Sequence, residues 1–112
     1  MSDAIEKRLQ ELRELAGEYA KAQAERTYLE EFRRSKIAIL MKYAEREGFK
    51  SAAAQEREAL ANNEYLLLLD GLKAATEAAE KSRWLLKIAE MGCELYRTQQ
   101  ANQRVERRGY GA

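Results

Sequence analysis

Apolar residues recur at alternating intervals of three and four along most of the chain, which is the spacing of one face of an α-helix. No Pro interrupts this spacing anywhere in the sequence. In the first part of the chain the seam comprises Ile5, Leu9, Leu12, Ala16 and Tyr19. The pattern predicts a long first helix over residues 3–47.

Residues that end and start helices then divide the remainder of the chain. Gly48 is a typical C-terminal stop and Ser51 a typical N-cap, so a short helix is predicted over residues 51–61. A second long helix is predicted over residues 63–107. The polar end of the chain, residues 108–112, is expected to fray.

The second long helix carries two apolar lines. The first runs from Tyr65 to Tyr96 in steps of three and four, and small residues in its middle allow a close approach of another helix. Its later members are Leu86, Ala89, Cys93 and Tyr96. The second line lies on nearly the opposite side and comprises Trp84, Ile88, Met91 and Leu95, which we call the Trp84 strip. A helix in a two-helix arrangement needs only one such line.

Together these elements predict an all-α fold, with residues 1–112 forming a single helical domain. The simplest arrangement is an antiparallel hairpin of two long helices with a short helix between them. Charge favours this direction. Counting Lys and Arg against Asp and Glu, residues 1–31 and 51–80 carry −3 and −4, whereas residues 32–50 and 81–112 each carry +4. An antiparallel hairpin places blocks of opposite sign side by side.

The Trp84 strip would face water in such a hairpin, and a contiguous exposed apolar patch usually marks an interaction surface. We expect another copy of the chain to cover it, since two hairpins pair into a homo-oligomeric helical bundle, a dimer or a larger assembly. The alternatives are a groove for a different protein and internal cover by the short middle helix. Cys93 is interpreted as a small buried hydrophobe.

Composition favours a protein without enzymatic activity. The chain contains no His, which is the commonest general base and metal ligand, and it has no Gly-rich phosphate loop or nucleophile motif. No metal or cofactor is predicted. No apolar stretch is long enough to span a membrane and no secretory signal is recognisable, so a cytoplasmic location is expected.

Nucleic acid is the alternative ligand, because the chain combines cations for phosphates with aromatic rings for bases. Two regions contribute these residues. The candidate contacts are Tyr28, Phe32, Arg33, Arg34 and Lys36 in the first helix, and Arg97, Arg104 and Arg107 near the end of the chain. The net charge of only +1 argues against this ligand.

Arg26 and Arg33 fall near the middle of the first seam, where Leu or Ala would be expected. We interpret both as polar residues that set the register by bonding to Glu side chains of the facing helix. The competing interpretation is direct contact with a ligand.

Three short elements follow one another in the C-terminal half: QERE at 55–58, RWLL at 83–86 and YRTQQA at 96–101. In this order the chain resembles small uncharacterised helical proteins encoded by tailed phages and prophages. The resemblance implies an accessory to DNA processing, or a factor against host defence, acting in the cytoplasm of the host bacterium. The resemblance assigns no specific activity to this chain.

The functional hypothesis is a non-enzymatic phage or prophage accessory protein that self-associates and binds a phage or host protein of DNA metabolism or counter-defence. The alternative is a single-stranded DNA-binding accessory protein in recombination or replication. A helical inhibitor of a host nuclease differs from the first hypothesis only in its partner.

Overall fold

The computed structural model describes the backbone of residues 3–111 and the side chains of residues 3–109. Three helices account for nearly all of this range: α1 spans Asp3–Arg46, α2 spans Ala52–Ala61 and α3 spans Asn63–Gly111. The predicted all-α class, with two long helices flanking a short one, is confirmed. α3 continues past the predicted end at 107 into the tail that was expected to fray, and residue 112 lies outside the described residues. Over the described range, no helix has the length and apolar character needed to cross a membrane.

α1 ends in a Schellman motif, which Gly48 makes possible. Gly48 has φ +107°, a conformation that glycine adopts without steric penalty. The amide of Phe49 donates to the carbonyl of Ala44 at 3.1 Å and the amide of Gly48 to that of Glu45 at 3.1 Å, so two carbonyls of the last turn are satisfied. The side chain of Gln55 donates to the carbonyl of Phe49 at 2.9 Å and ties the turn to α2.

Side-chain caps start the next two helices. Ser51 is the N-cap of α2, and its hydroxyl oxygen accepts from the amide of Ala54 at 3.1 Å. Asn62 separates α2 from α3, and its side-chain oxygen accepts from the amide of Glu64 at 2.8 Å. The sequence therefore specifies the three helix boundaries in this region by local hydrogen bonding.

The chain divides into two compact units, each built from parts of both long helices. Unit 2 comprises Ala20–Glu80 and so contains the end of α1, all of α2 and the beginning of α3. Unit 1 comprises the described residues up to Tyr19 together with those from Lys81 onward.

Unit 2 contains the buried core. Leu40, Ala59 and Tyr65, one from each helix, form a buried cluster against which Ile37 and Leu69 pack. Every described residue of the buried class belongs to this unit: Leu40, Ala44, Ala59, Tyr65, Ala75 and Ala79. The alanines of α3 lie on the predicted first apolar line, which is confirmed here as the inward face.

Interhelical ion pairs in unit 2 establish an antiparallel arrangement. Lys36 of α1 lies 3.4 Å from Glu64 near the start of α3, and Arg26, earlier in α1, lies 3.5 Å from Glu80, later in α3. Residues earlier in α1 thus face residues later in α3. Lys36 and Glu64 belong to the basic and acidic blocks that the charge pattern placed side by side.

In unit 1, none of the described residues is buried. The inward line of α3 is half-buried, as at Leu86, Ala89, Cys93 and Tyr96. Of the seam predicted for α1, Ile5, Leu9 and Ala16 are exposed, whereas Arg8 and Leu15 are half-buried. Ile5 and Leu9 nevertheless line a groove together with residues of α3, so the predicted seam is contradicted only at Ala16. The half-buried residues of α1 in this unit, Arg8, Leu12, Leu15 and Tyr19, centre about 50° from the predicted seam at 100° per residue, and Arg8 among them stacks on Tyr96.

Candidate interaction surfaces

The Trp84 strip is exposed along its whole length. The exposed fractions are 53% for Trp84, 60% for Ile88, 63% for Met91 and 64% for Leu95. The half-buried inward line of the same helix lies about 150° away at 100° per residue, so the two apolar lines point in nearly opposite directions. The described part of the chain leaves the strip uncovered.

Two cations lie against the indole ring of Trp84. The guanidinium carbon of Arg83 and the ammonium nitrogen of Lys87 each lie 5.0 Å from the ring centroid. Cation–π contacts of this kind contribute about 0.5–1 kcal/mol at exposed sites. Arg83 and Lys87 thus place positive charge beside Trp84, at one edge of the strip. The strip therefore has an apolar centre and a charged border.

A basic groove in unit 1 is the second candidate surface. Its volume is about 1270 Å³, and the first turns of α1 and the later turns of α3 line it. Four arginines contribute to the lining, namely Arg8, Arg97, Arg104 and Arg107, together with aliphatic side chains that include Ile5 and Leu9. The three arginines predicted near the end of the chain therefore lie on one surface, which also contains the carboxylate of Glu94.

Arg8 is the one arginine of the groove that the sequence did not identify as a candidate contact. Its guanidinium carbon lies 4.5 Å from the centroid of the Tyr96 ring, which joins the two helices of unit 1 across the groove. Arg8 is half-buried. Only the pairing of α1 with α3 places Arg8 in the same groove as Arg97, and the periodicity of a single helix does not contain that information.

The aromatic and basic cluster of α1 belongs to unit 2. The rings of Tyr28 and Phe32 stack with centroids 5.9 Å apart and planes inclined by 9°. Arg33 and Arg34 are exposed. The Lys36 ammonium is engaged by Glu64 at 3.4 Å, so this cation is less available to a phosphate. The cluster and the basic groove are parts of different units.

Arg26 and Arg33, both predicted to set the register, differ in the structure. Arg26 pairs with Glu30 on its own helix at 3.1 Å and with Glu80 on α3 at 3.5 Å. Bonding of Arg26 to the facing helix is therefore confirmed. Arg33 is exposed and does not lie in the seam, so its predicted role there is wrong.

Comparison of the chain with protein-family models, with curated proteins and with solved structures finds no match. The Trp84 strip and the basic groove are the two surfaces whose composition points to a binding role. Sequence periodicity identified the strip completely, whereas the groove was identified only in part.

Proposed function

We propose that this chain is a non-enzymatic accessory protein that self-associates through the Trp84 strip and, as an assembly, binds a protein partner. The observation that carries the proposal is the uneven burial of the two units. Unit 2 has a core of its own, whereas the described residues of unit 1 include none that is buried and expose four large apolar side chains in one line. Such a line stabilises a protein only when another apolar surface covers it.

The biological setting in the proposal is a phage or prophage acting on DNA metabolism or on host defence in the bacterial cytoplasm. It rests on the resemblance carried by the QERE, RWLL and YRTQQA elements. The partner is a phage or host protein, with inhibition of a host nuclease as one form of the same role. Affinity capture from phage-infected cells, with the Ile88→Glu variant as the matched negative control, tests whether a partner requires the assembled form.

Self-association has a direct test. Light scattering over a range of protein concentrations should give a mass that rises from 12.9 kDa toward a multiple of it. A mass of one chain at every concentration would contradict the proposal.

Single-stranded DNA binding is the second candidate function, and the convergence of four arginines on one groove favours it. Arginines of this kind neutralise phosphates, and binding that depends on them weakens steeply with salt. The aliphatic walls offer apolar surface to bases, whereas one face of the Tyr96 ring is occupied by the Arg8 guanidinium.

Two double variants locate any DNA-binding surface. Arg104→Gln with Arg107→Gln removes charge from the groove, whereas Arg33→Gln with Arg34→Gln removes the same charge from the cluster in unit 2. Fluorescence anisotropy with a labelled oligonucleotide should show binding at low salt, and the salt dependence should become flatter in the groove variant. Absence of binding by the parent at low salt would exclude this function.

A further inference from the structure

The Trp84 strip has a symmetric spacing. Its four residues follow one another at intervals of four, three and four, so the sequence of intervals reads the same in both directions. The midpoint falls between Ile88 and Met91. Suppose that a second copy of α3 packs antiparallel to the first and that a two-fold axis passes through this midpoint. Ile88 of one copy then lies opposite Met91 of the other, and Trp84 lies opposite Leu95. All four apolar layers are then filled in both directions.

One flank of the strip is charged, and its charge changes sign at the same midpoint. At 100° per residue, Arg83, Lys87, Glu90 and Glu94 lie within about 60° of one another on this flank. The two cations lie beside the Trp84 end, where both contact the indole ring at 5.0 Å. The two carboxylates lie beside the Leu95 end, and both of these residues are exposed.

Between the two ends of the strip, the other flank has no charged side chain of α3. It comprises Leu85 and Gly92, and Nη1 of Arg8 from α1 lies 4.0 Å from the Cβ position of Gly92. In an antiparallel pair of helices each flank faces the same flank of the other copy, whereas in a parallel pair each flank faces the opposite one. Antiparallel pairing thus places Lys87 beside Glu94 of the second copy, twice by symmetry. Parallel pairing places Lys87 against this other flank, where α3 offers no carboxylate and Arg8 adds a like charge.

From these observations, and on the basis of the proposed self-association, we infer that the Trp84 strip binds the same strip of a second copy in antiparallel orientation. The two-fold axis passes between positions 88 and 91. The apolar layers supply the attraction. The charged flank selects the direction, because exposed ion pairs are individually weak but like charges at close approach are unfavourable.

Thiol cross-linking tests the orientation. Cys93 is the chain's one cysteine, so Cys93→Ser gives a background without thiols. Lys81→Cys and Thr98→Cys are then introduced in separate proteins, at positions that flank the strip symmetrically. In the antiparallel pair, position 81 of one copy lies opposite position 98 of the other. The two copies of position 98 are then about 25 Å apart along the axis at 1.5 Å per residue.

A short bismaleimide linker should therefore join the two variants when they are mixed and join neither variant to itself. Efficient joining of the Thr98→Cys protein to itself would establish a parallel pair and overturn the inference, although self-association would stand. A parent protein that stays at the mass of one chain would overturn both, and a different protein would then be the occupant of the strip. Failure of the mixture to cross-link despite a dimeric parent would also overturn the inference.

Charge reversal gives an independent test of the same arrangement. Glu94→Lys places two cations together at each of the two flank contacts and should weaken dimerisation roughly tenfold. Adding Lys87→Glu to the same protein should restore it, because each contact again pairs opposite charges. Equal dimerisation constants for the parent and both variants, measured by sedimentation equilibrium, would contradict the antiparallel charge match.

Discussion

Replacement of Ile88 by Glu addresses the central feature of the molecule, which is an apolar strip without a cover. In the single chain the Ile88 side chain is 60% exposed, so a carboxylate at this position remains hydrated. Substitutions at exposed positions usually change the free energy of unfolding by less than about 0.5 kcal/mol. The isolated chain should therefore tolerate the change.

The associated form should not tolerate it. In a pair of strips the new carboxylate enters a desolvated layer without a cation, which costs several kcal/mol for each copy. If each chain contributes a penalty of about 3 kcal/mol, the free energy of association of a two-fold dimer becomes about 6 kcal/mol less favourable. The dissociation constant then rises by roughly four orders of magnitude. At concentrations where the parent is dimeric, the variant should be monomeric.

Leu67→Glu is the matched control. Leu67 lies on α3 as well and is 69% exposed, but it belongs to unit 2 and not to the strip. Sedimentation equilibrium at several concentrations should give the parent's association constant for the control and a single-chain mass for Ile88→Glu. Circular dichroism should show lower helicity for Ile88→Glu only, because the described residues of unit 1 include no buried core to stabilise them alone.

Two results would refute this reasoning. If Ile88→Glu retains the mass and melting temperature of the parent, the strip is not an interface. If Leu67→Glu dissociates the assembly to the same extent, the effect of a new charge on α3 is general and does not depend on the strip. In either case Leu95→Glu should be compared, since it tests the other end of the same line.

Three further outcomes are expected from local features. Gly48→Ala should lower the free energy of unfolding by about 1 kcal/mol in chemical denaturation, because a Cβ is strained at φ +107°; an unchanged midpoint would contradict this. Ser51→Ala should cost about 1 kcal/mol through loss of the α2 cap, whereas Ser51→Asp should retain it. Arg26→Met should change stability by less than about 1 kcal/mol, since the pair with Glu80 is partly exposed; a larger loss would assign it a structural role.

The sequence predicted best those features that depend on neighbouring residues. Gly48 and Ser51 place the helix boundaries within a residue of the prediction, because a positive φ and a side-chain cap act locally. The sequence also predicted which apolar line of α3 faces inward. The inward line has small residues in its middle that allow a close approach of another helix, whereas the strip consists of large residues. In contrast, the end of α3 depends on weak helix propensity and extends beyond the prediction to Gly111.

Features that depend on two helices together were predicted less well. The first turns of α1 contain two overlapping apolar rows, and periodicity alone does not decide which row faces α3. The contact of Arg8 with Tyr96 places Arg8 in the row that meets α3, while Ile5 and Leu9 line the open groove beside it. The same contact brings Arg8 into the basic groove, which is why this residue was absent from the predicted site.

The intrinsic fluorescence of Trp84 can report whether the strip is covered. Trp84 is the only tryptophan in the chain, it lies at one end of the strip, and its indole is 53% exposed in the single chain. Indole fluorescence shifts to shorter wavelengths when water is removed from the ring, so a dilution series of unlabelled protein reads out coverage of the strip without any added dye. The emission wavelength therefore reports coverage of the strip, whereas circular dichroism follows the helices of both units, and the two signals together distinguish dissociation from unfolding.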